Sequence, residues 1–160
     1  MRRFAFVFAT ATIAALVSNE ARAQVVNAQP AGAGLRGCYQ IVSERGWQRI
    51  ALKSQAENII SVTRGDGWSV DAKNYAAVGR QGHKGRAAEA LAPYSGYKYD
   101  KRYPFGALLV RGPSRKVIHM KFKSFSLPAG SAKSIEFRIN DRNDALGDNA
   151  GALLLCVEPT

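Results

Sequence analysis

The chain has 160 residues, of which 46% are hydrophobic and 22% are charged, a balance typical of one folded globular domain. It has a net charge of +11 but contains only two cysteines and two histidines. These counts exclude a zinc site rich in Cys and His and a disulfide-dense small protein, and no internal repeat indicates a solenoid.

The first 23 residues have the three regions of a cleaved export signal. Arg2 and Arg3 precede the apolar run 4–17, and an A-R-A triplet at 21–23 follows it. The run is shorter than the roughly 20 residues that span a membrane. We therefore expect residues 1–23 to be a signal peptide and the protein to be secreted or periplasmic, with a buried N-terminal helix as the alternative. Residues 24–36, which include Pro and Gly, are expected to form a flexible tether.

Export changes the interpretation of the two cysteines. Cys38 and Cys156 lie near opposite ends of the exported chain, and an oxidising compartment favours a disulfide between them. Bridged Cα atoms lie about 5–6 Å apart, so the first and last strands would have to be neighbours. Two buried free cysteines are the alternative.

Short apolar or alternating segments separated by turn residues predict an all-β protein. Residues 86–91 favour one or two helical turns, and residues 65–104 otherwise have few strand signals, as in a loop-rich insertion of the kind that often carries function. The pattern predicts a β-sandwich or barrel. The predicted strands are residues 39–42, 47–52, 59–63, 105–111, 116–122, 135–139 (interpreted as half-buried) and 151–157.

The segment 140–151 is the strongest candidate for chemistry. It contains three Asp and three Asn within ten residues, between two predicted strands. Calcium binds six to eight oxygen ligands from carboxylates, amides and backbone carbonyls, and a loop of this composition supplies them. The spacing differs from that of an EF-hand. An ordinary Asx-rich turn is the alternative.

This segment resembles the C-terminal calcium loop of the PA-IL-like galactophilic lectins, which are calcium-dependent, galactose-binding β-sandwiches. The likeness rests on the N-D step at 140–141 and the sequence G-D-N-A-G at 147–151. The strand F-G-A-L-L-V-R-G at 105–112, the G-W step at 67–68 and the turn G-R-Q-G at 79–82 are also similar, and the whole likeness covers residues 37–160. It implies a lectin-like sandwich domain of the jelly-roll or galactose-binding-domain type that binds carbohydrate with calcium and without catalysis.

The resemblance also implies a set of site residues. The calcium ligands would be the side chains of Asp141, Asp148 and Asn149 and the backbone carbonyls of Ala145 and Asp71. The sugar-binding set would be Trp68, Asp71, Gln81, His83, Asp141 and Asp148, with His83 on an exposed cationic loop. Because residues 83–86 depart from the family's sugar-reading residues, the expected ligand is either a galactoside or an anionic polysaccharide.

Two other functions remain open at this point. One is a basic periplasmic envelope or interaction module with the same fold and no sugar site. The other is a polysaccharide-active enzyme, although no Ser-His-Asp arrangement or acidic pair stands out. The tyrosines of residues 65–104 alternate with lysine and arginine, a mixture that also suits nucleic acid, but export argues against that partner. The sequence leaves the oligomeric state open.

Overall fold

The computed structural model describes residues 24–53, 55–63 and 67–160. The expected signal peptide, residues 1–23, lies outside the described residues. Two β-sheets pack face to face, which confirms the prediction of an all-β sandwich. Within the described part of the chain, no helix is long and apolar enough to cross a membrane.

The elements are numbered in chain order. The strands are β1 Val26–Asn27, β2 Gln29–Pro30, β3 Cys38–Val42, β4 Gln48–Ala51, β5 Asn58–Val62, β6 Trp68–Ser69, β7 Leu108–Arg111, β8 Val117–His119, β9 Ser124–Leu127, β10 Ser134–Ile139 and β11 Ala150–Pro159. The helix α1, Gly85–Leu91, continues into the 3₁₀ helix Ala92–Tyr97, and a second 3₁₀ helix spans Asn143–Asp148. The first sheet has the order β1-β4-β10-β7-β8, and the second has the order β2-β3-β11-β5-β9, with β6 also paired to β11.

The hydrophobic core lies between the two sheets and follows from the alternation of apolar residues along the strands. Ile135, Phe137 and Ile139 of β10 are buried in it, as are Ile41 of β3 and Leu155 of β11. Successive side chains of a strand point to opposite faces, so these residues share the inner face. All seven predicted strand regions contain strands, and the helix predicted at residues 86–91 is α1.

Strand β9 was not predicted from the sequence. Its residues Phe125 and Leu127 are half-buried, whereas Ser124 and Ser126 are exposed, and it pairs with β5 at the edge of the second sheet. With only two apolar side chains, an edge strand of this kind has little hydrophobic signal. The strand predicted at residues 116–122 is correspondingly shorter, ending at His119.

The interpretation of β10 as a half-buried strand is wrong, because both of its faces are covered. Glu136 is only 6% exposed and Arg138 is fully buried, although both point away from the core. Tyr99 of the insertion lies over Arg138, at 3.9 Å from the guanidinium carbon to the ring centre, and arginine side chains surround Glu136. The sequence pattern alone cannot show that a distant segment covers the outer face.

The expectation of a tether at residues 24–36 is also corrected. Strand β1 pairs in parallel with β4 of the first sheet, and β2 pairs with β3 of the second. Ala28, between them, is 7% exposed and belongs to the core. Backbone hydrogen bonds, such as that from the Ala28 amide to the Arg49 carbonyl at 2.8 Å, hold this segment despite its weak side-chain pattern.

The predicted disulfide joins Cys38 of β3 to Cys156 of β11. The two residues face each other in the antiparallel register of these strands. The first long strand and the last strand are therefore neighbours, as the pairing requires. The bridge spans 118 residues of chain, so it constrains nearly the whole domain in the unfolded state.

Candidate functional site

A pocket of about 680 Å³ lies where the insertion meets the loop after β10. One part of its lining, the acidic wall, comes mainly from residues 141–148, and another part, the aromatic wall, comes from residues 75–97. Its floor is apolar and includes Leu91 and Phe105. The acidic wall consists of Asp71, Asp141, Asp144 and Asp148, together with Ala145, and the aromatic wall consists of Tyr75, Tyr94 and Tyr97.

Asn140 fastens the insertion to the end of β10. Its side chain is fully buried, and its Oδ1 accepts a hydrogen bond from the Asp100 amide at 2.8 Å. Its Nδ2 donates to the carbonyls of Asp100, Tyr103 and Pro104 at 2.9–3.0 Å. Satisfying four backbone groups with one amide holds the insertion against the loop. Asn140 therefore positions the pocket without lining it.

Arg142 joins the two walls from the solvent side. Its backbone amide donates to the Tyr97 carbonyl at 2.6 Å, and its guanidinium lies 4.6 Å from the centre of the Tyr97 ring. The same guanidinium pairs with Asp144. Arg142 therefore neutralises the charge of Asp144 at the rim of the pocket. Among the described residues, Asp141 and Asp148 form no ion pair of this kind.

Asp141 is a buried acid in an unusual electrostatic setting. It is 3% exposed, and burial raises its pKa from 3.8 to about 7. Hydrogen bonds from Asn149 and from the Arg142 amide lower this pKa in part, while the charge of Asp148 raises it further. A carboxyl group held in this way gains strongly from a bound cation, since the cation would stabilise its charged form.

Arg138 lies beneath the loop and shapes its backbone. Its guanidinium donates to the carbonyls of Ile139 and Asp141 and, at 2.8 Å, to Oδ1 of Asn143. Burial lowers the pKa of Arg138 to about 10, so it stays charged at neutral pH. Because its hydrogen bonds go to backbone and amide oxygens, it supports the loop without forming an ion pair with Asp141.

Asn149 and Asp71 connect this loop to the turn after β6. The Asn149 side chain accepts from the Asp71 amide and donates to the Ser43 carbonyl, both at 3.3 Å. The Asp71 carbonyl, expected from the resemblance to be a metal ligand, instead accepts hydrogen bonds from the amides of Asn74 and Tyr75 at 3.0 Å. In this arrangement Asp71 contributes its carboxylate to the pocket, and Asn149 acts as a clamp between loops.

The donor set suits a hard cation in part. Asp71, Asp141, Ala145 and Asp148 line one pocket, and their carboxylate and carbonyl oxygens are of the ligand types that calcium prefers. Among the residues that the structure describes, however, no three His, Cys, Asp or Glu side chains are grouped closely enough to hold a metal ion. A calcium ion would therefore depend on backbone oxygens and water as well as on the carboxylates.

Three residues expected to contact sugar lie away from the pocket surface. Trp68 is fully buried, and its Nε1 donates to the Gly106 carbonyl at 2.7 Å. His83 is 2% exposed and packs edge-on against Tyr75, with the ring centres 5.6 Å apart, so its expected exposure on a cationic loop is wrong. Gln81 lies in a bridge to Ala107 and accepts a hydrogen bond from Lys84.

Burial explains the chemistry of His83. Burial lowers its pKa and so favours the neutral ring, and its Nε2 has no hydrogen-bond partner within the described residues. This ring packs edge-on against Tyr75 and supports it. The basic neighbours of His83 in sequence made it resemble a surface residue, but the positive φ of Gly82 turns the chain inward there.

Tyr94 and Tyr97 were not among the site residues predicted from the sequence. They are 55% and 47% exposed, respectively, and both line the pocket. The many tyrosines among residues 65–104 are the feature of the sequence that could have indicated these two site residues. Their position in the same pocket as Asp141 depends on the turn from α1 into the 3₁₀ helix Ala92–Tyr97, which no local pattern indicates.

Comparisons with models of protein families, with curated proteins and with solved structures found no match to this chain.

Proposed function

We propose that the protein is an exported, calcium-dependent carbohydrate-binding protein without catalytic activity, similar to the PA-IL-like lectins. The observation that carries this proposal is the buried Asp141 beside Asp148 in a pocket faced by exposed tyrosines. Calcium would relieve the repulsion of these carboxylates and offer coordination positions to sugar hydroxyls. The disulfide between Cys38 and Cys156 supports export, because such bonds persist in oxidising compartments.

The metal would be held by the side chains of Asp141 and Asp148 and by the Ala145 carbonyl. Asn149 would supply its Oδ1 as a further ligand, in place of the hydrogen bond that this atom now accepts from the Asp71 amide. Asp148 adds a negative charge where the resembling family commonly has Asn, which strengthens attraction for a divalent cation. These residues would hold the ion, and no chemical change of the bound sugar is proposed.

The sugar would contact the aromatic wall. Tyr94 and Tyr97 are 55% and 47% exposed, and exposed aromatic rings stack on the apolar C–H faces of sugar rings, while Asn74 offers an amide to hydroxyls. This assignment replaces Trp68 and His83, which are buried. Galactosides and acidic glycans remain the two ligand classes, since the chain is basic overall.

The metal is tested by calorimetric calcium titration of three proteins. The wild type should bind calcium, and Asp141→Ala should abolish binding while preserving the fold. Asp144→Asn is the matched control: it removes one negative charge from the same loop, but Asp144 is already paired with Arg142. Calcium affinity that is lost equally in both variants, or unchanged in Asp141→Ala, would contradict the proposed ligand set.

The sugar site is tested on an array of galactosides and acidic glycans, with and without a calcium chelator. Tyr94→Ala and Tyr97→Ala should weaken glycan binding and leave calcium affinity unchanged. Gln81→Ala should change neither property, because Gln81 lies outside the pocket. Glycan binding that persists in chelator would rule out the calcium-dependent mechanism, and turnover of a glycan would point to an enzyme instead.

A basic envelope or interaction module is the second candidate, and the net charge of +11 favours it. In that case the wild type would bind no calcium, and its binding to anionic polymers would weaken with salt. The calcium titration therefore separates the two functions directly.

A further inference from the structure

A second pocket, of about 330 Å³, lies on the outer face of the first sheet at the start of β10. Its charged side chains come from three separate elements and the loops beside them. They are Arg49, Arg111, Arg115, Lys133 and Glu136. With four basic groups and one acidic group, the pocket has a clear excess of positive charge. This pocket shares no lining residue with the first one, which is called the tyrosine-lined pocket because Tyr75, Tyr94 and Tyr97 line it, so the two are distinct.

Glu136 organises the arginines. Its Oε1 accepts hydrogen bonds from Nε and Nη2 of Arg49 at 3.2 and 2.9 Å. Its Oε2 accepts from Nε of Arg111 at 2.6 Å and from Nη1 of Arg115 at 3.1 Å. Burial opposes the charged form of this carboxyl, but the hydrogen bonds from Arg111 and Arg49 hold its pKa below the usual range. One negative charge therefore gathers three positive charges.

The arginines keep donors available for a ligand. Each guanidinium has five N–H groups, and Arg111 uses only its Nε in hydrogen bonds among the described residues. Its guanidinium carbon lies 4.0 Å from the centre of the Trp47 ring, and its side chain is 13% exposed. The remaining N–H groups of Arg111 are therefore held in place before any ligand arrives, which lowers the entropy lost on binding.

The turn before β8 adds a second feature. Arg115 has a φ of +60°, and its amide donates to the Gly112 carbonyl at 3.0 Å. Positive φ is uncommon for residues other than glycine, and strain of this kind concentrates at functional sites. The strained turn places the guanidinium of Arg115 beside Glu136, where a glycine would supply no charge.

We propose that this pocket binds a single oxyanion, the phosphate or sulfate group of an anionic polysaccharide. Guanidinium groups bind such oxygens in bidentate fashion, and Arg111, Arg115 and Lys133 all line this pocket. The site goes beyond the calcium-dependent function and does not depend on it, because none of its residues lines the tyrosine-lined pocket.

The test begins with titration of inorganic sulfate or phosphate into the disulfide-bonded protein at low ionic strength, in the presence of a calcium chelator. The chelator removes any contribution from the proposed calcium site. Arg115→Gln and Lys133→Gln should each weaken anion affinity by about threefold to tenfold. The matched controls, Arg86→Gln and Lys123→Gln, remove the same charge from exposed positions outside the pocket and should leave the affinity nearly unchanged.

The Glu136→Gln variant should change the anion affinity in the opposite direction. It removes the competing carboxylate and releases arginine donors, so the anion should bind about threefold to tenfold more tightly. If this variant fails to fold, Arg115→Gln and Lys133→Gln, at exposed positions, still test the site. Absence of saturable anion binding in the wild type, or equal weakening by the control variants, would overturn the proposal.

The source of the oxyanion is decided by comparing the free ion with polymers. A phosphate- or sulfate-bearing polysaccharide that binds more tightly than the free ion, and that loses affinity in Arg115→Gln, supports the polymer. Equal affinity for the free ion and the polymer supports the oxyanion pocket with a free ion as its ligand. A preference for carboxylated over sulfated polymer of equal charge contradicts the chemistry proposed.

Discussion

At the scale of single residues, Asp141 concentrates the unusual chemistry of the tyrosine-lined pocket. Its carboxyl group is buried beside Asp148, and the buried Arg138 donates to the backbone of the loop and forms no ion pair with Asp141. The cost of burying a charge without a partner appears as a raised pKa. Such a group is poised to bind either a proton or a cation.

The raised pKa predicts a dependence of stability on pH. Because the folded protein binds this proton more tightly than the unfolded chain, the protonated acid contributes stability below pH 3.8, and that stability is lost as the pH rises towards about 7. The difference corresponds to on the order of 4 kcal/mol. Asp141→Asn should therefore match the wild type at pH 4 and be more stable at pH 8, as measured by urea unfolding in chelator.

At pH 8, bound calcium should reverse the order of stability, so that the wild type becomes more stable than Asp141→Asn. A ligand that binds only the folded state raises the free energy of unfolding, so saturating calcium at pH 8 should stabilise the wild type and not Asp141→Asn. A constant stability difference between the two proteins from pH 4 to pH 8 would show that Asp141 titrates normally.

At the scale of elements, residues 92–104 have two separate roles. Tyr94 and Tyr97 face the pocket, whereas Tyr99 turns the other way and covers the first sheet. Its hydroxyl accepts a hydrogen bond from Nε1 of Trp47 at 3.2 Å, and the two rings meet edge to face at 5.6 Å. The segment thus encloses Arg138 while it builds the aromatic wall.

Tyr99 is 37% exposed but covers Arg138 and Trp47, so Tyr99→Ala should expose both and lower the free energy of unfolding by about 1–2 kcal/mol. Tyr94→Ala, at a position that is 55% exposed, should change stability by about 0.5 kcal/mol or less. Chemical denaturation of the two variants measures the contrast. Equal stability would mean that Tyr99 does not cover the sheet in solution.

At the scale of the whole molecule, the disulfide and the sheet order act together. Strand β11 lies between β3 and β5 and pairs with both, so the last strand is central to the second sheet. The second sheet therefore depends on contacts between its first long strand and the last strand of the chain. The bridge between Cys38 and Cys156 keeps these two segments close in the unfolded chain as well.

Replacing both cysteines with alanine should lower the free energy of unfolding by about 2–5 kcal/mol, because the unfolded chain gains the freedom that the bridge removed. Urea unfolding of the double variant, compared with the oxidised and reduced wild type, measures the effect. The native, non-reduced protein should also show no reactive thiol. Two labelled thiols in that protein would show that the strands are not bridged.

Features that depend on local pattern were predictable from the sequence. Alternating apolar residues specify strands such as β10 and β5, since a period of two follows from the geometry of the extended chain. The expectation of export, together with the two cysteines, predicted the bridge. The acidic composition of residues 140–151 was likewise visible in the sequence, and the structure places Asp141, Ala145 and Asp148 around one pocket.

The accessibility of side chains and the contacts between distant groups depend on tertiary packing. Trp68 and His83 have the residue types of a sugar site, but the packing of the insertion buries both. Tyr94 and Tyr97 reach the pocket, and Glu136 meets three arginines, through contacts between segments far apart in sequence. Burial and charge pairing depend on how the sheets and the insertion pack, and no local pattern carries that information.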